Sequence, residues 1–370
     1  MGERLEHAPV LAGGTAPLPD LVRRVRSALE RGELCGLPTE TVYGLAARAD
    51  LPAALDALRA AKGRPVDLPL TWHVASRAAL ESFAPLRALV TRLAQRYWPG
   101  PLTLVLRGVP RGLEAVGRDG WTGVRWPAHA ATTALLAACE FPVVLSSANR
   151  HGESPAIHAA DTAERFGAQL SLVVDGGPAR LGEASGVLAV GPGRFELLRE
   201  GLLRLDDLRR TAGLRIAFVC TGNTCRSPMA EALARQLLGE ALGLATPRAE
   251  NDLARFGFEL ASMGLHATTG APPSDGAVEV LGPRGLDLRS HRSRAASPEA
   301  LLRFDRVYAM THGHLEALSA KLPPGRRPPL ELLDPRGRDI VDPIGGDRAA
   351  YEQAAREIEQ AILQRLPEWA

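Results

Sequence analysis

Residues 215–242 read RIAFVCTGNTCRSPMAEALARQLLGEAL. The first six residues are a short apolar run ending on Cys220, the signature of a strand buried on both faces in a parallel sheet. From Ser227 onward the apolar positions recur with helical spacing. Gly222 permits a tight loop between the two, and Pro228 suits the first turn of a helix, where its missing N–H costs nothing. A strand, a short loop and a helix N-terminus in that order point backbone N–H groups inward at the positive end of a helix dipole. Such a loop is a cradle for a phosphate. The same field favours the thiolate form of a cysteine held there, which makes Cys220 a nucleophile. Arg226 can grip two phosphoryl oxygens with its planar fork, which a lysine could not do. Asn223 and Ser227 are placed to brace the loop and the sulfur. The bland alternative, a buried cysteine under a glycine turn, does not require all of these residues together.

A phosphoryl-transfer site of this kind also needs an acid for the leaving group. Two Asp-Pro pairs are available, Asp334-Pro335 and Asp342-Pro343, and such pairs also commonly start turns. Around them, RVYAMTHGHLEAL repeats the alternation of strand and helix, and YEQAAREIEQAILQRL closes the chain as an amphipathic helix. The C-terminal part, 214–370, is therefore expected to be α/β, a parallel sheet with flanking helices. Upstream, GLLRLDDLRRTAGL is short and charged, so 206–213 is read as a linker. The N-terminal part, 18–205, mixes strand signals (LCGL, TWHV, LTLVLRG, TGVRW, FPVVLSS, SLVVDGG, GVLAV) with helical segments, which predicts an α+β domain with a mixed sheet. Residues 1–17 are rich in Gly and Pro and read as a loose segment.

The chain has 370 residues, 45% apolar and 23% charged, which suits two soluble domains. Its net charge, 44 − 42 = +2, does not announce a nucleic-acid binder. No run approaches the ~20 apolar residues of a membrane span, and the start lacks the apolar core of a signal peptide. The four cysteines, Cys35, Cys139, Cys220 and Cys225, form neither a secreted disulfide framework nor a zinc knuckle. A reducing cytoplasm is the expected location.

In the N-terminal half, Lys62 and Arg64 stand two apart and would share a face of an extended segment. His73, Arg125, Ser146, Ser147 and Asn149 follow on or beside strand-like runs. Taken singly, each reads equally as a solvated charge, a satisfied core histidine or a turn cap. Together they outline a candidate polar ligand site.

Two resemblances sharpen these readings. VCTGNTCRSPMAEAL, GLDLRSHRSR, DRVYAMTHGHLEAL and VDPIGGDRAAY resemble the low-molecular-weight protein tyrosine phosphatase family over 214–366 (a phosphatase I-like fold). The resemblance implies Cys220 as nucleophile, Arg226 as the phosphate-binding arginine, and Asp342, before the final helix, as the acid. Thr221, Gly222, Asn223, Thr224, Cys225 and Ser227 complete the phosphate-binding loop, and no cofactor is implied. Thr221 beside the nucleophile, and Ile344-Gly345-Gly346 in place of paired tyrosines, resemble the protein arginine phosphatase branch. A phosphoarginine protein substrate is then expected in preference to phosphotyrosine. Arsenate reductases share this loop but need further cysteines, and none follows Cys225. Cys225 is either a partner for a protective disulfide with Cys220 or a small filler of the loop.

The second resemblance covers residues 18–204. LPTETVYGLAA, KGRPVDLPLTWHV, WPGPLTLVL, GVRWPAH, LSSANRHGESP and VVDGGPARLGEASGV resemble, in order, the threonylcarbamoyl-AMP synthase family (a YrdC-like fold). That family makes L-threonylcarbamoyladenylate from threonine, bicarbonate and ATP, and its product feeds tRNA modification through other proteins. The resemblance implies that Thr39, His73, Arg125 and Ser185 lie around threonine. It places Lys62, Arg64, Thr103, Ser147, Asn149 and Arg199 around ATP, which would carry Mg²⁺. Leu68 and Gly186 depart from the family pattern. The leading expectation is a bifunctional enzyme. The alternative is a phosphatase whose N-terminal domain is inactive or binds RNA.

Overall fold

The buried strand read at residues 215–220 runs from Arg215 to Cys220, with Ile216 to Cys220 all buried. It belongs to a computed structural model that describes residues 10–12, 18–63, 69–83, 87–150, 152–245, 250–322, 325 and 327–370. These divide into two units, Met1–Leu205 and Asp206–Ala370.

The first unit is a ten-stranded sheet. Its strands are β1 (Val10–Ala12), β2 (Leu34–Leu37), β3 (Gly44–Arg48), β4 (Thr71–His73), β5 (Leu102–Arg107), β6 (Trp121–Arg125), β7 (Val143–Ser147), β8 (Leu170–Asp175), β9 (Gly186–Gly191) and β10 (Arg194–Arg199). The spatial order is β1-β8-β2-β3-β7-β4-β6-β5-β9-β10. Parallel pairs such as β4–β6 and β5–β9 alternate with antiparallel ones such as β3–β7 and β5–β6. The sheet is thus mixed, as read from the sequence. Helices α1 (Leu18–Glu30), α2 (Pro52–Lys62), α3 (Arg87–Tyr97), α4 (Ala130–Ala138) and α5 (Ala159–Phe166) cover it. Along β3 the side chains alternate between the faces. Leu45 and Ala47 pack with Leu55 and Leu58 of α2 and Phe166 of α5, whereas Ala46 packs with Val25 of α1 and Leu135 of α4. Helix α2 ends at Gly63, whose φ of 58° lets its N–H reach back to Ala60 O. The segment 1–17, expected to be loose, contributes β1, which pairs parallel with β8 through Val10 and Val173. Its short apolar run supplies what an edge strand needs, and the Gly/Pro content around it masked that signal.

The second unit begins at the second residue of α6 (Leu205–Ala212). Of the residues read as a linker, 206–213, all but Gly213 are therefore helical. Leu208 and Ala212 are buried, and Gly213 lies so close to Gly257 that a Cβ would meet its carbonyl at 2.0 Å. Leu208 and Ala212, four apart and so on one face of the helix, outweigh the charges around them. The sheet, β12 (Glu259–Gly264), β11 (Arg215–Cys220), β13 (Arg306–Ala309) and β14 (Leu330–Leu332), is parallel throughout. Helices α7 (Arg226–Ala241), α8 (Glu250–Ala254), α9 (Asp275–Leu281), α10 (Pro298–Leu301), α11 (His312–Lys321) and α12 (Arg348–Trp369) flank it. Ala217 and Val219 pack with Leu301 and Leu318 on one face. Phe218 meets Tyr308 and Trp369, with ring centroids 6.2 and 6.3 Å away, on the other. Burial on both faces explains why β11 is apolar without alternation. It also brings Cys220 to the carboxyl end of a central strand, where parallel α/β sheets bind ligands.

Candidate active sites

Cys220 is the last residue of β11 and only 3% exposed. Its sulfur lies 3.0 Å from Ser227 Oγ and 3.3 Å from the Asn223 N–H that donates to it. Asn223 takes φ of 57°, a conformation Asn tolerates better than most residues. That turn is fixed from several sides. Asn223 Nδ2 donates to Ser227 Oγ at 2.9 Å, its Oδ1 accepts the Arg294 N–H at 2.8 Å, and its carbonyl lies 2.8 Å from His291 Nε2. Thr224 O accepts from Ser274 N at 3.0 Å. Gly264, ending β12, is required here: a Cβ would sit 2.7 Å from Thr221 O and 2.8 Å from Asn223 N. Helix α7 starts at Arg226, so its positive end faces the loop. The assembly can hold a phosphoryl group over the Cys220 sulfur. Cys225 is buried beside Tyr351, whose hydroxyl is 3.6 Å from its sulfur.

Arg226 donates to Ile340 O at 3.1 Å and pairs with Asp342. Asp342 therefore sits over the loop with its side chain 42% exposed. Asp334 is differently placed. It is 2% exposed and is held by Arg336 at 3.1 Å and Arg338 at 2.8 Å. Those cations and the Arg336 N–H hold its carboxyl below the ordinary range against the opposing effect of burial. Thr221, next to the nucleophile, is bonded to His314 Nε2 at 2.9 Å. His314 was not singled out from the sequence. A Thr-x-x-His spacing at a helix start (Thr311 to His314) was the signal that could have found it.

In the first unit a cavity of about 450 Å³ is lined by Thr39, His73, Thr103, Arg125, Ser146, Ser147, Ser185 and Arg199. The sheet register explains the gathering: His73 is opposite Arg125 on β4 and β6, and Gly44 is opposite Ser147 on β3 and β7. Arg125 is buried and ion-paired with Glu40 at 2.7 Å, with further bonds to Thr41 Oγ1 at 2.8 Å and Gly100 O at 3.2 Å. Glu40 also accepts the Ala128 N–H at 2.8 Å. Burial, together with the nearby Arg125 charge, pushes His73 down to about 3, so its ring is neutral. Thr103 Oγ1 is 2.9 Å from Ser185 Oγ, and Arg199 reaches Ser185 O at 2.8 Å. Lys62, the last residue of α2, donates to the carbonyls of Ser147 and Asn149. Arg64 and Leu68 lie outside the described residues. Gly186 has a steric reason, since a Cβ there would meet Glu200 O at 2.8 Å. Glu40, Arg118, Trp121 and Arg194 also line or support this cavity and were not read from the sequence. Glu40 stands inside the quoted LPTETVYGLAA, and a lone acid in an apolar stretch was its only signal.

Comparison with known proteins follows the same division. A family model described as telomere recombination (Sua5, YciO and YrdC proteins) matches residues 27–201, and one described as low molecular weight phosphotyrosine protein phosphatase matches 215–368. The chain is 38% identical over 200 residues to the threonylcarbamoyl-AMP synthase of Pyrococcus abyssi, covering 52% of this chain and 57% of that protein. It is 30% identical over 219 residues to the threonylcarbamoyl-AMP synthase of Bos taurus, covering 54% of this chain and 77% of that one. The protein-arginine-phosphatase of Geobacillus stearothermophilus is 35% identical over 159 residues, covering 42% of this chain and 94% of that one. A solved structure of Pyrococcus abyssi Sua5 superposes with a TM-score of 0.51 at 27% identity, covering 69% of this chain and 91% of that one. The chain thus spans little more than half the length of the first curated relatives it matches, 57% and 56%.

Proposed function

Because the chain belongs to the threonylcarbamoyl-AMP synthase (Sua5/YrdC) family in its N-terminal part and to the low molecular weight phosphotyrosine protein phosphatase family in its C-terminal part, we propose that it is a bifunctional enzyme. Residues 18–205 carry L-threonylcarbamoyladenylate synthesis, and residues 214–370 carry a protein phosphatase. The observation that bears most weight is the Cys220 sulfur, held by the Asn223 N–H and Ser227 Oγ at the start of α7.

In the phosphatase, Arg226 exchanges its partner Asp342 for two phosphoryl oxygens. The Cys220 thiolate attacks phosphorus. A sulfur–phosphorus bond forms while the bond from phosphorus to the leaving group breaks, and Asp342 gives its proton to that group. Water then attacks the cysteinyl phosphate, Asp342 takes its proton, and phosphate leaves. Asp334 is unsuited to this role because its carboxylate is buried under two arginines. Phosphoarginine is the preferred substrate class. Thr221 offers a hydroxyl beside the sulfur, and Ile344, 69% exposed, stands where paired aromatic walls would be needed to grip a phenyl ring.

In the synthase, Arg125 is held in place by Glu40 and Thr41 and receives the threonine carboxylate. Neutral His73, Thr39 and Ser185 complete that end of the cavity. Lys62, Thr103, Ser147, Asn149 and Arg199 surround the triphosphate, a role that the sequence resemblance extends to Arg64. Carboxylated threonine attacks the α-phosphorus, a carbamate O–P bond forms, and pyrophosphate leaves. Among the described residues no group of three or more His, Cys, Asp or Glu side chains could hold a metal ion. The cavity's hydroxyls fit a Mg²⁺ that arrives on the ATP phosphates and keeps waters of its own. No helix among the described residues is long and apolar enough to cross a membrane, and a reducing cytoplasm would keep Cys220 active. The test is a paired assay: pyrophosphate release with threonine, bicarbonate and ATP, and phosphate release from phosphoarginine against phosphotyrosine. Binding of threonine and ATP without pyrophosphate release would mark the N-terminal unit as inactive.

A further inference from the structure

The segment that carries Asp342 is tied down on both sides of its acid. Ile340, buried at its start, donates its N–H to Met310 O at 2.9 Å, and its carbonyl accepts from Arg226 at 3.1 Å. Val341, next to the acid, donates its N–H to the carboxylate of Glu357 on α12 at 3.1 Å. Asp342 pairs through Oδ2 with Arg226 and accepts the Ile344 N–H on Oδ1 at 3.3 Å. Glu357 is held in turn by Gln353, whose Nε2 donates to its Oε1 at 3.0 Å. Two of these ties belong to Arg226, the residue that must turn to the phosphoryl group.

We propose that Glu357 is a positioning residue that keeps Asp342 over the phosphate loop once Arg226 has turned to the substrate. This rests on the phosphatase reading above. A guanidinium fork that spans two phosphoryl oxygens has spent the donors it used for Asp342. The acid then loses its charge partner at the step that needs it. The ties that remain are the Met310 carbonyl at Ile340 and the Glu357 carboxylate at Val341. The second is the nearer to Asp342, and a carboxylate accepting a backbone N–H makes a charge-assisted bond. It fixes the peptide unit just before the acid. Oδ1 stays with the Ile344 N–H, which leaves Oδ2, vacated by Arg226, to carry the proton. As the bond from the Cys220 sulfur to phosphorus forms and the bond to the leaving group breaks, the Oδ2 proton passes to that group.

The surroundings of Glu357 fit this role. A glutamate on a helix surface is ordinarily replaced at little cost. This one reaches out of its helix to a backbone donor 16 residues earlier in the chain, and a neighbour one turn back orients its carboxylate. Its bond therefore serves the segment of Asp342 more than it serves α12.

The experiment measures kcat/KM of the full chain for p-nitrophenyl phosphate and for phenyl phosphate, which has the poorer leaving group. The proteins are wild type, Glu357→Ala, Glu357→Gln, Gln353→Ala and Asp342→Asn. Glu357→Ala should lower the phenyl phosphate value about three- to tenfold, the worth of one hydrogen bond, with the nitrophenyl value and the melting temperature nearly unchanged. Glu357→Gln keeps a carbonyl acceptor and should restore most of the rate, which a general loss of structure would not reproduce. Gln353→Ala loosens the carboxylate without removing it. It should lower the phenyl phosphate value about twofold, and it reports on the brace even if Glu357→Ala fails to fold. In an Asp342→Asn background Glu357→Ala should cost nothing further. An Asp342→Asn variant that slows both substrates alike overturns the acid assignment and this inference with it. With that assignment standing, a folded Glu357→Ala or Gln353→Ala that leaves phenyl phosphate unchanged, or lowers both substrates equally, overturns the inference alone.

Discussion

The loop at Cys220 and the cavity around Arg125 both present groups suited to phosphoryl oxygens, and they are built on opposite plans. The loop is contiguous: one strand end, five residues and one helix start, braced by Asn223 and Ser227. Its binding groups are backbone N–H groups and a helix end, which any ligand finds in place. The cavity is assembled from β3, β4, β5, β6, β7, β9 and β10, and its cations are already occupied. Arg125 is on Glu40, Lys62 on two carbonyls and Arg199 on Ser185. At the loop only Arg226 must give up a partner, Asp342, and the backbone cradle itself needs little reorganisation, whereas a cavity of paired side chains must exchange several partners when substrate enters. The difference predicts that the first site is broken by single changes at its centre. Damage at the second site spreads into the stability of its unit.

The largest expected effect lies in the loop. Cys220→Ser should lower hydrolysis of an aryl phosphate by about three decades or more, because a serine hydroxyl stays protonated where a thiolate attacks. Appreciable turnover would remove Cys220 from the nucleophile role. Next is Asp342→Asn, which should slow substrates with poor leaving groups by roughly two decades or more, and activated aryl phosphates far less. Asp334→Asn should instead lower the melting temperature, since it breaks a buried carboxylate from Arg336 and Arg338. The reverse pattern would exchange the two assignments.

In the cavity, Arg125→Ala should weaken threonine by about one to two decades, the worth of a charge-assisted bond. It should also destabilise the unit by roughly 3–5 kcal/mol, because Glu40 is left buried without its partner. Loss of stability with unchanged threonine affinity would make Arg125 purely structural. The smallest effect concerns pH. His73 is neutral in the fold with its value pushed down to about 3, while the unfolded chain protonates it below about 6.5. The unfolded state then binds the extra proton, so stability falls as pH drops from 6.5 toward 3. The loss should be about 1.4 kcal/mol by pH 5.5. Melting of the wild type and His73→Gln between pH 7 and 5.5 checks this; parallel curves would contradict a buried neutral His73.

The same contrast governs how much could be read in advance. Cys220, Arg226 and Ser227 were legible because their chemistry is local and their neighbours fix the strand and helix around them. Strands such as β5 and β11 were legible from apolar runs. The Glu40–Arg125 pair joins residues 85 apart, and no spacing rule links them. His314 reaches Thr221 across 93 residues and reads locally as one more polar residue on a surface helix. Helix α6 was misread because its charges are more conspicuous than the two residues it buries.

One chain is proposed to carry two separate chemistries. It is tested most directly by assaying wild type and Cys220→Ser in parallel for pyrophosphate release with threonine, bicarbonate and ATP, and for phosphate release from phosphoarginine. A bifunctional chain shows both activities in the wild type, with only phosphate release lost in the variant. A wild type that binds threonine and ATP but releases no pyrophosphate, or a variant that still releases phosphate, would contradict it.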